Sequence, residues 1–190
     1  IRKKKEGYFL QGMYFKKGLE LIHDNFNYNW CFLLDADEFI TPVKPFPDLL
    51  EAYEAYDAIL LYWKNFGASG HIKAPSYDRP IFEIFNKECG YTAEDWNHRH
   101  ISKMCFNMHK FKSNFVYGGH TALCNWVRTD FKTSRQDNPT FENIYIRHYM
   151  TRSWEEYKWK LEQRGYICPG HRKISDFFEM NKDMIYLKDE

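Results

Sequence analysis

No stretch of this 190-residue chain approaches the roughly 18 consecutive apolar residues that a membrane-spanning helix needs. An excess of one charge is missing too. Lys and Arg number 27 and Asp and Glu 26, a net charge of +1, which argues against a protein that grips nucleic acid by bulk charge or strongly seeks membranes. The five cysteines, Cys31, Cys89, Cys105, Cys124 and Cys168, contain no CxxC pair and are odd in number. Neither a zinc ribbon nor a dense disulfide framework is therefore expected. They read as reduced, mostly buried small hydrophobes in a reducing compartment. No apolar run follows Ile1-Arg2-Lys3-Lys4-Lys5, so no signal peptide is expected. Internal repeats and low-complexity linkers are also lacking.

What the chain does have is aromatic side chains: 16 Phe, 14 Tyr and 6 Trp. That load excludes disorder, and it either fills a core or supplies flat faces for a sugar or base. The length fits a single domain, 1–190, able to bury about 70% of its unfolded surface without disulfides or metal. Residues 1–5 read as a basic lead-in. Leu10, Met13, Tyr14, Leu21 and Ile22 keep a helical period between Tyr8 and Phe26, with Gly18 on the same face. Trp30–Leu34 (WCFLL) reads as a strand buried on both faces, residues 48–56 as a short helix, and Ala58–Trp63 as a second buried strand. This alternation predicts an α/β sheet with parallel strands. Residues 64–79 form a loop of functional length. Short strands are expected at Ile81–Phe85, Ser102–Met108, Phe115–Tyr117 and Asn143–Tyr149. Ser153 and Glu156 predict a capping box opening a helix to Arg164, with Gly165 at C′. The carboxy-terminal segment, 175–190, carries an amphipathic helix through Phe177, Met180, Met184 and Leu187.

The sharpest chemical feature is Asp35-Ala36-Asp37 at the end of the first strand. If the strand period continues, both carboxylates point the same way, beyond the carboxyl end of a strand where α/β sheets bind ligands. Two carboxylates together are costly unless a cation joins them. A hard divalent ion, Mn²⁺ or Mg²⁺, suits oxygen ligands and leaves room for substrate phosphates. A structural turn or helix cap is the plainer reading. An EF-hand is excluded, because Ile40 stands where that loop needs glycine.

Three ordered blocks now resemble one family. WCFLLDADEFI (30–40) resembles the strand and Asp-x-Asp motif of GT-A glycosyltransferases. Trp63-Lys64-Asn65-Phe66-Gly67-Ala68-Ser69-Gly70-His71 resembles a WxxFGxSGH block, and His148-Tyr149-Met150-Thr151-Arg152-Ser153-Trp154-Glu155-Glu156 with Lys160 and Arg164-Gly165 resembles a later one. Together, over about Gln11–Gly165, they resemble the family-2-like group that includes family 92. The resemblance implies a GT-A-like mixed sheet flanked by helices. It implies transfer from a nucleotide-diphosphate sugar, expected to be a UDP-sugar, to a saccharide acceptor, with inversion. Asp35 would lie near the nucleotide or a metal-bound water, Asp37 on the metal, and His148 on metal or diphosphate. A cation stabilises charge on the leaving diphosphate. Only one helix precedes Asp35, so part of the amino-terminal nucleotide-binding half is expected to be missing.

Several weaker candidates complete the reading. Trp63, Phe66 and His71 would line an acceptor pocket, with small residues of the glycine-rich loop admitting the sugar; His120 could join them, and a tight structural turn is the alternative. Glu83 or Asp78 would be the base for an acceptor hydroxyl. Lys103, Lys160 and Arg164 would meet phosphate, although Glu156 and Lys160 also suit a plain helix-face pair. The doublet His98 and His100 lacks a nearby third ligand. A cytoplasmic location is expected, with the basic lead-in leaving peripheral contact with anionic lipid open. The rivals are a metal-dependent phosphoesterase, a non-catalytic nucleotide-sugar or glycan-binding domain, and a plain interaction module.

Overall fold

A computed structural model describes residues 2–91, 101–115, 120, 122–134, 138–163 and 173–184, with backbone alone for 2–11 and 163. The chain divides into two compact units. One comprises Ile1–Trp63 with Arg99–Ile146, the other Lys64–His98 with Arg147–Glu190. Helices are α1 (Arg2–Asn25), α2 (Phe46–Glu51), α3 (Ile81–Ile84), α4 (Trp154–Gln163) and α5 (Ile174–Met180). Strands are β1 (Trp30–Phe32), β2 (Glu38–Pro42), β3 (Ala58–Asn65), β4 (Ser102–Asn107), β5 (Trp126–Arg128) and β6 (Ile144–His148). They form one sheet in the order β1-β4-β3-β6-β2, with β5 paired to β3. The protein is therefore mixed α/β.

The first unit is built on β3 and β4. Ala58, Ile59 and Leu60 are wholly buried, as are Phe106, Cys105 and Met104 opposite them on β4. Each large apolar side chain so buried contributes about 1.5–3 kcal/mol. The strand expected at Ala58–Trp63 is thus found, two residues longer. The first strand differs. β1 stops at Phe32, is only partly buried, and sits at the end of the strand order with β4 as its neighbour. All three of its residues are only partly buried, so β1 is not the strand buried on both faces that WCFLL predicted. Nor do β1 and β3 pair in parallel, because β4 lies between them, antiparallel to both. β3 does pair in parallel with β5. The basic lead-in is likewise not separate, since Arg2–Lys5 belong to α1.

The second unit has two apolar clusters. Phe66, Ile84, Phe85 and Tyr149 form one; Ala68, Tyr157 and Phe177 form the other, with Trp154 and Phe178 packed on it. The strand expected at Ile81–Phe85 is one turn of helix, α3. Pro80 before it has φ −55°, and Ile84 is buried while Phe82 and Glu83 are exposed. The apolar spacing 81, 84, 85 is helical, and proline presets entry into a turn. Phe115 ends a 3₁₀ turn, Ser113–Phe115, and the rest of the strand expected at Phe115–Tyr117 lies outside the described residues. The capping box is present: Glu156 N donates to Ser153 Oγ at 3.3 Å, and Ser153 N donates back to Glu156 Oε2 at 3.3 Å. The last helix is shorter than predicted. It ends at Met180 because the Asn181 side chain donates to the Phe177 carbonyl at 2.8 Å, closing the final turn.

Candidate functional site

The acidic tetrad is a turn, not a strand continuation. β1 pairs with β4 through Phe32 opposite Cys105, and Leu33 N donates to Met104 O at 3.2 Å. The chain then bends, and Glu38 N donates to Asp35 O at 3.1 Å. Strand alternation therefore does not govern Asp35 and Asp37. Extending the ladder brings the turn beside the start of β4, where Lys103 emerges from a wholly buried strand. Lys103 is 0% exposed, and its Nζ lies 2.7 Å from Asp35 Oδ2 and 3.3 Å from Glu38 Oε1. Glu38 Oε2 accepts from Asp35 N at 3.1 Å, which fixes the turn.

One buried ammonium thus faces two carboxylates, and they are not equivalent. The Asp35 carboxylate has 43% of its side chain in solvent, that of Glu38 none. Burial pushes the Glu38 carboxyl up to about 7, against the pull of Lys103, and the charge on Asp35 adds to the rise. Glu38 was legible only as an acid ending the motif. Its spacing of three from Asp35, the reach of a side chain back to a turn's first N–H, was the available signal. Lys103 Nζ also lies 5.8 Å from the ring centres of Trp63 and Phe15. His120 meets Trp63 edge-on at 5.3 Å, and its Nδ1 is 2.6 Å from Ser102 O. Of the candidate residues, this unit brings Asp35, Lys103, Trp63 and His120 together, with Asp37 in the same turn. Lys103 is held in the acid cluster rather than standing open for phosphate.

A pH dependence follows. The folded protein holds the Glu38 proton more tightly than an unfolded chain, where the pKa is about 4.3. Between these values the folded state binds more protons, so stability falls as pH rises. The contribution is complete below the unfolded value and lost through about 7, worth roughly 3–4 kcal/mol at most. Melting temperatures of wild type and Glu38→Gln between pH 4 and 8 should therefore diverge, with the variant flatter. Parallel curves would contradict the assignment.

The remaining candidates belong to the second unit. His148 is buried, and its Nδ1 is 3.1 Å from Asn65 Oδ1. Phe66 is a core residue stacked on Tyr149 at 5.4 Å, and His71 meets Phe85 edge-on at 5.5 Å. The glycine-rich block is a pinned turn. Ala68 N donates to Asn181 Oδ1 at 2.6 Å, Gly67 N to Lys87 O at 2.9 Å, and Lys87 N to Ser69 Oγ at 3.0 Å. Its small residues make room for Asn181, Met184 and Cys89, which crowd the place a Cβ on Gly67 would take. Phe66 and Gly67 therefore serve the core, and Trp63, equally buried, lies against His120 in the other unit. Lys160 Nζ donates to Met150 O at 2.9 Å. Glu83 and Asp78 are exposed. Arg164, Gly165, His98, His100 and Cys168 lie outside the described residues. Cys31, Cys89, Cys105 and Cys124 are free thiols, each with its pKa raised by burial.

Among the described residues, no three His, Cys, Asp or Glu side chains gather as a metal-ligand set, and no helix is long and apolar enough to cross a membrane. No protein-family model matches the chain, and no curated protein matches it.

Proposed function

We propose that the chain is a metal-dependent glycosyltransferase domain of GT-A type, moving a sugar from a nucleotide-diphosphate donor, a UDP-sugar, to a saccharide acceptor with inversion. The observation that carries the reading is the turn 35–38. It presents a partly open Asp35 carboxylate, backed by a buried lysine, with Asp37 two residues on. An all-oxygen donor set of this kind suits a hard ion that completes its shell with water and phosphate oxygens. Asp35 and Asp37 would hold Mn²⁺ or Mg²⁺, which when bound supplies Lewis-acid stabilisation of the leaving diphosphate.

The chain's own residues do the rest. Lys103 orients the Asp35 carboxylate through the 2.7 Å contact, a positioning role. Glu38 closes the turn so that Asp35 and Asp37 keep a fixed spacing. As the acceptor oxygen bonds to the anomeric carbon and the diphosphate leaves, the acceptor hydroxyl gives up its proton. A carboxylate base would take it. His148, buried against Asn65, is not needed, since Mg²⁺ commonly keeps several waters.

Calorimetry with UDP and Mn²⁺ tests the proposal. Asp37→Asn should weaken Mn²⁺-dependent UDP binding by about tenfold or more, the loss of one charged ligand contact, with an unchanged circular dichroism spectrum. Equal affinity in variant and wild type would remove Asp37 from the metal, and no Mn²⁺-dependent UDP binding in the wild type would sink the reading itself.

A further inference from the structure

The loop 71–77 is fastened to the start of α4 with unusual thoroughness. Trp154 N donates to His71 O at 3.2 Å, Glu155 N to Ile72 O at 2.9 Å, and Ala74 N to Glu155 Oε2 at 2.8 Å. The first two bonds satisfy helix-terminal N–H groups that otherwise need water. The loop ends on Tyr77, whose hydroxyl donates to Glu156 Oε1. Glu156 is itself held by Ser153 Oγ at 2.7 Å and by Arg152 at 3.5 Å. Burial acts to raise the Glu156 pKa, but the bonds from Tyr77 and Ser153 and the Arg152 charge outweigh it and keep the carboxyl below its usual range. The buried Phe85 ring backs Tyr77, with centroids 6.4 Å apart.

Tyr77 nevertheless leaves 49% of its surface in solvent, and Ile72 leaves 41%. A half-exposed aromatic that only filled space would not need its hydroxyl tied and its loop pinned. Immobilising it costs entropy, which is recovered where a rigid, flat apolar face meets a ligand. Asp78 and Arg79 follow directly and are exposed. A carboxylate and a guanidinium next in sequence to such a ring can supply hydrogen bonds to a ligand's hydroxyls. An apolar C–H face rimmed by hydroxyls is the chemistry of a pyranose.

We propose that Tyr77 is the floor of a saccharide-binding surface, with Asp78 and Arg79 as its polar rim. The choice of a saccharide rests on the transferase reading above, and Tyr77, unlike the core residue Phe66, is a ring that solvent reaches. The ring, not the hydroxyl, makes the contact, because the hydroxyl is committed to Glu156.

Saturation-transfer NMR on the whole chain, without divalent cation or nucleotide, tests it with methyl β-glucoside, β-galactoside, α-mannoside and N-acetyl-β-glucosaminide at millimolar concentration. At least one should receive transfer mainly on the C–H groups of one ring face. Tyr77→Ala should weaken that binding by about tenfold, Tyr77→Trp should keep it, and Tyr77→Phe, which frees the ring from Glu156, should fall between. If Tyr77→Ala melts early, Tyr77→Leu removes the aromatic face while keeping bulk. Absence of transfer to all four pyranosides, or equal binding by wild type and Tyr77→Ala, overturns the proposal. Because no metal or UDP is present, that result leaves the donor reading standing, and failed UDP binding would remove the transferase reading while leaving saccharide binding at Tyr77 to be read on its own.

Discussion

Lys103→Met is expected to destabilise the protein by about 3–5 kcal/mol at pH 7.5, the usual effect of stripping one partner from a buried ion pair. The Lys103 ammonium has no exposed surface, and neither does the Glu38 carboxyl 3.3 Å from it. Methionine fills most of the volume, so lost packing contributes little and the uncompensated carboxylate dominates. Two features distinguish this from a simple packing defect. The penalty should shrink by pH 5.5, because Glu38, already pushed up to about 7 with the lysine present, takes up a proton. Adding Glu38→Gln should also restore at least about 1 kcal/mol, since a neutral amide needs no counter-charge. Urea titrations of the two single variants and the double variant form the cycle. Strictly additive losses would mean that Lys103 and Glu38 do not act on each other.

The same substitution at two glycines should give opposite signs. Gly67→Ala places a methyl among Asn181 Oδ1, the Met184 methyl and Cys89 Cβ, the last 2.9 Å away. Asn181 cannot step aside freely, because Ala68 N and Phe177 O both hold it. Overpacking at such a point costs about 1–3 kcal/mol, and breaking the Asn181 bonds raises the loss toward the upper end. Gly18 lies inside α1, and a Cβ there meets nothing within 4 Å. Gly18→Ala should therefore stabilise by about 0.5–1 kcal/mol, the helix-propensity difference. Thermal melts of the two variants decide the matter. A neutral Gly67→Ala would mean the glycine-rich block is looser than its hydrogen bonds suggest.

Local signals were the legible part of the fold. An unbroken apolar run marked β3, and the Ser153–Glu156 spacing marked the start of α4. Tertiary context decided the rest. WCFLL has the composition of a central strand, yet β1 lies at an edge, and neighbour order is not written in five residues. Ile81–Phe85 carried helical spacing that its β-branched and aromatic content masked. At the site, paired acids after an apolar run pointed to the turn. The partner that organises them, Lys103, lies 68 positions away. Its union with Asp35 depends on the register of β4, which periodicity does not reveal. Asn181 was invisible for the same reason: its amide acts on Ala68, 113 positions upstream.

The register of β1 also bears on how the chain comes off the ribosome. Its ladder partners, Cys105 to Asn107, lie about 75 residues downstream of Trp30 to Phe32. At about 5–20 residues per second, that separation is about 4–15 s of synthesis. Through that interval Trp30-Cys31-Phe32-Leu33-Leu34 is an apolar, β-prone segment whose mate does not yet exist, the kind of stretch that pairs with other chains. The acidic run directly after it, Asp35 with Asp37 and Glu38, places like charges against such pairing while the nascent chain waits. The carboxylates proposed to hold a cation in the finished protein would thus already serve as gatekeepers before it folds.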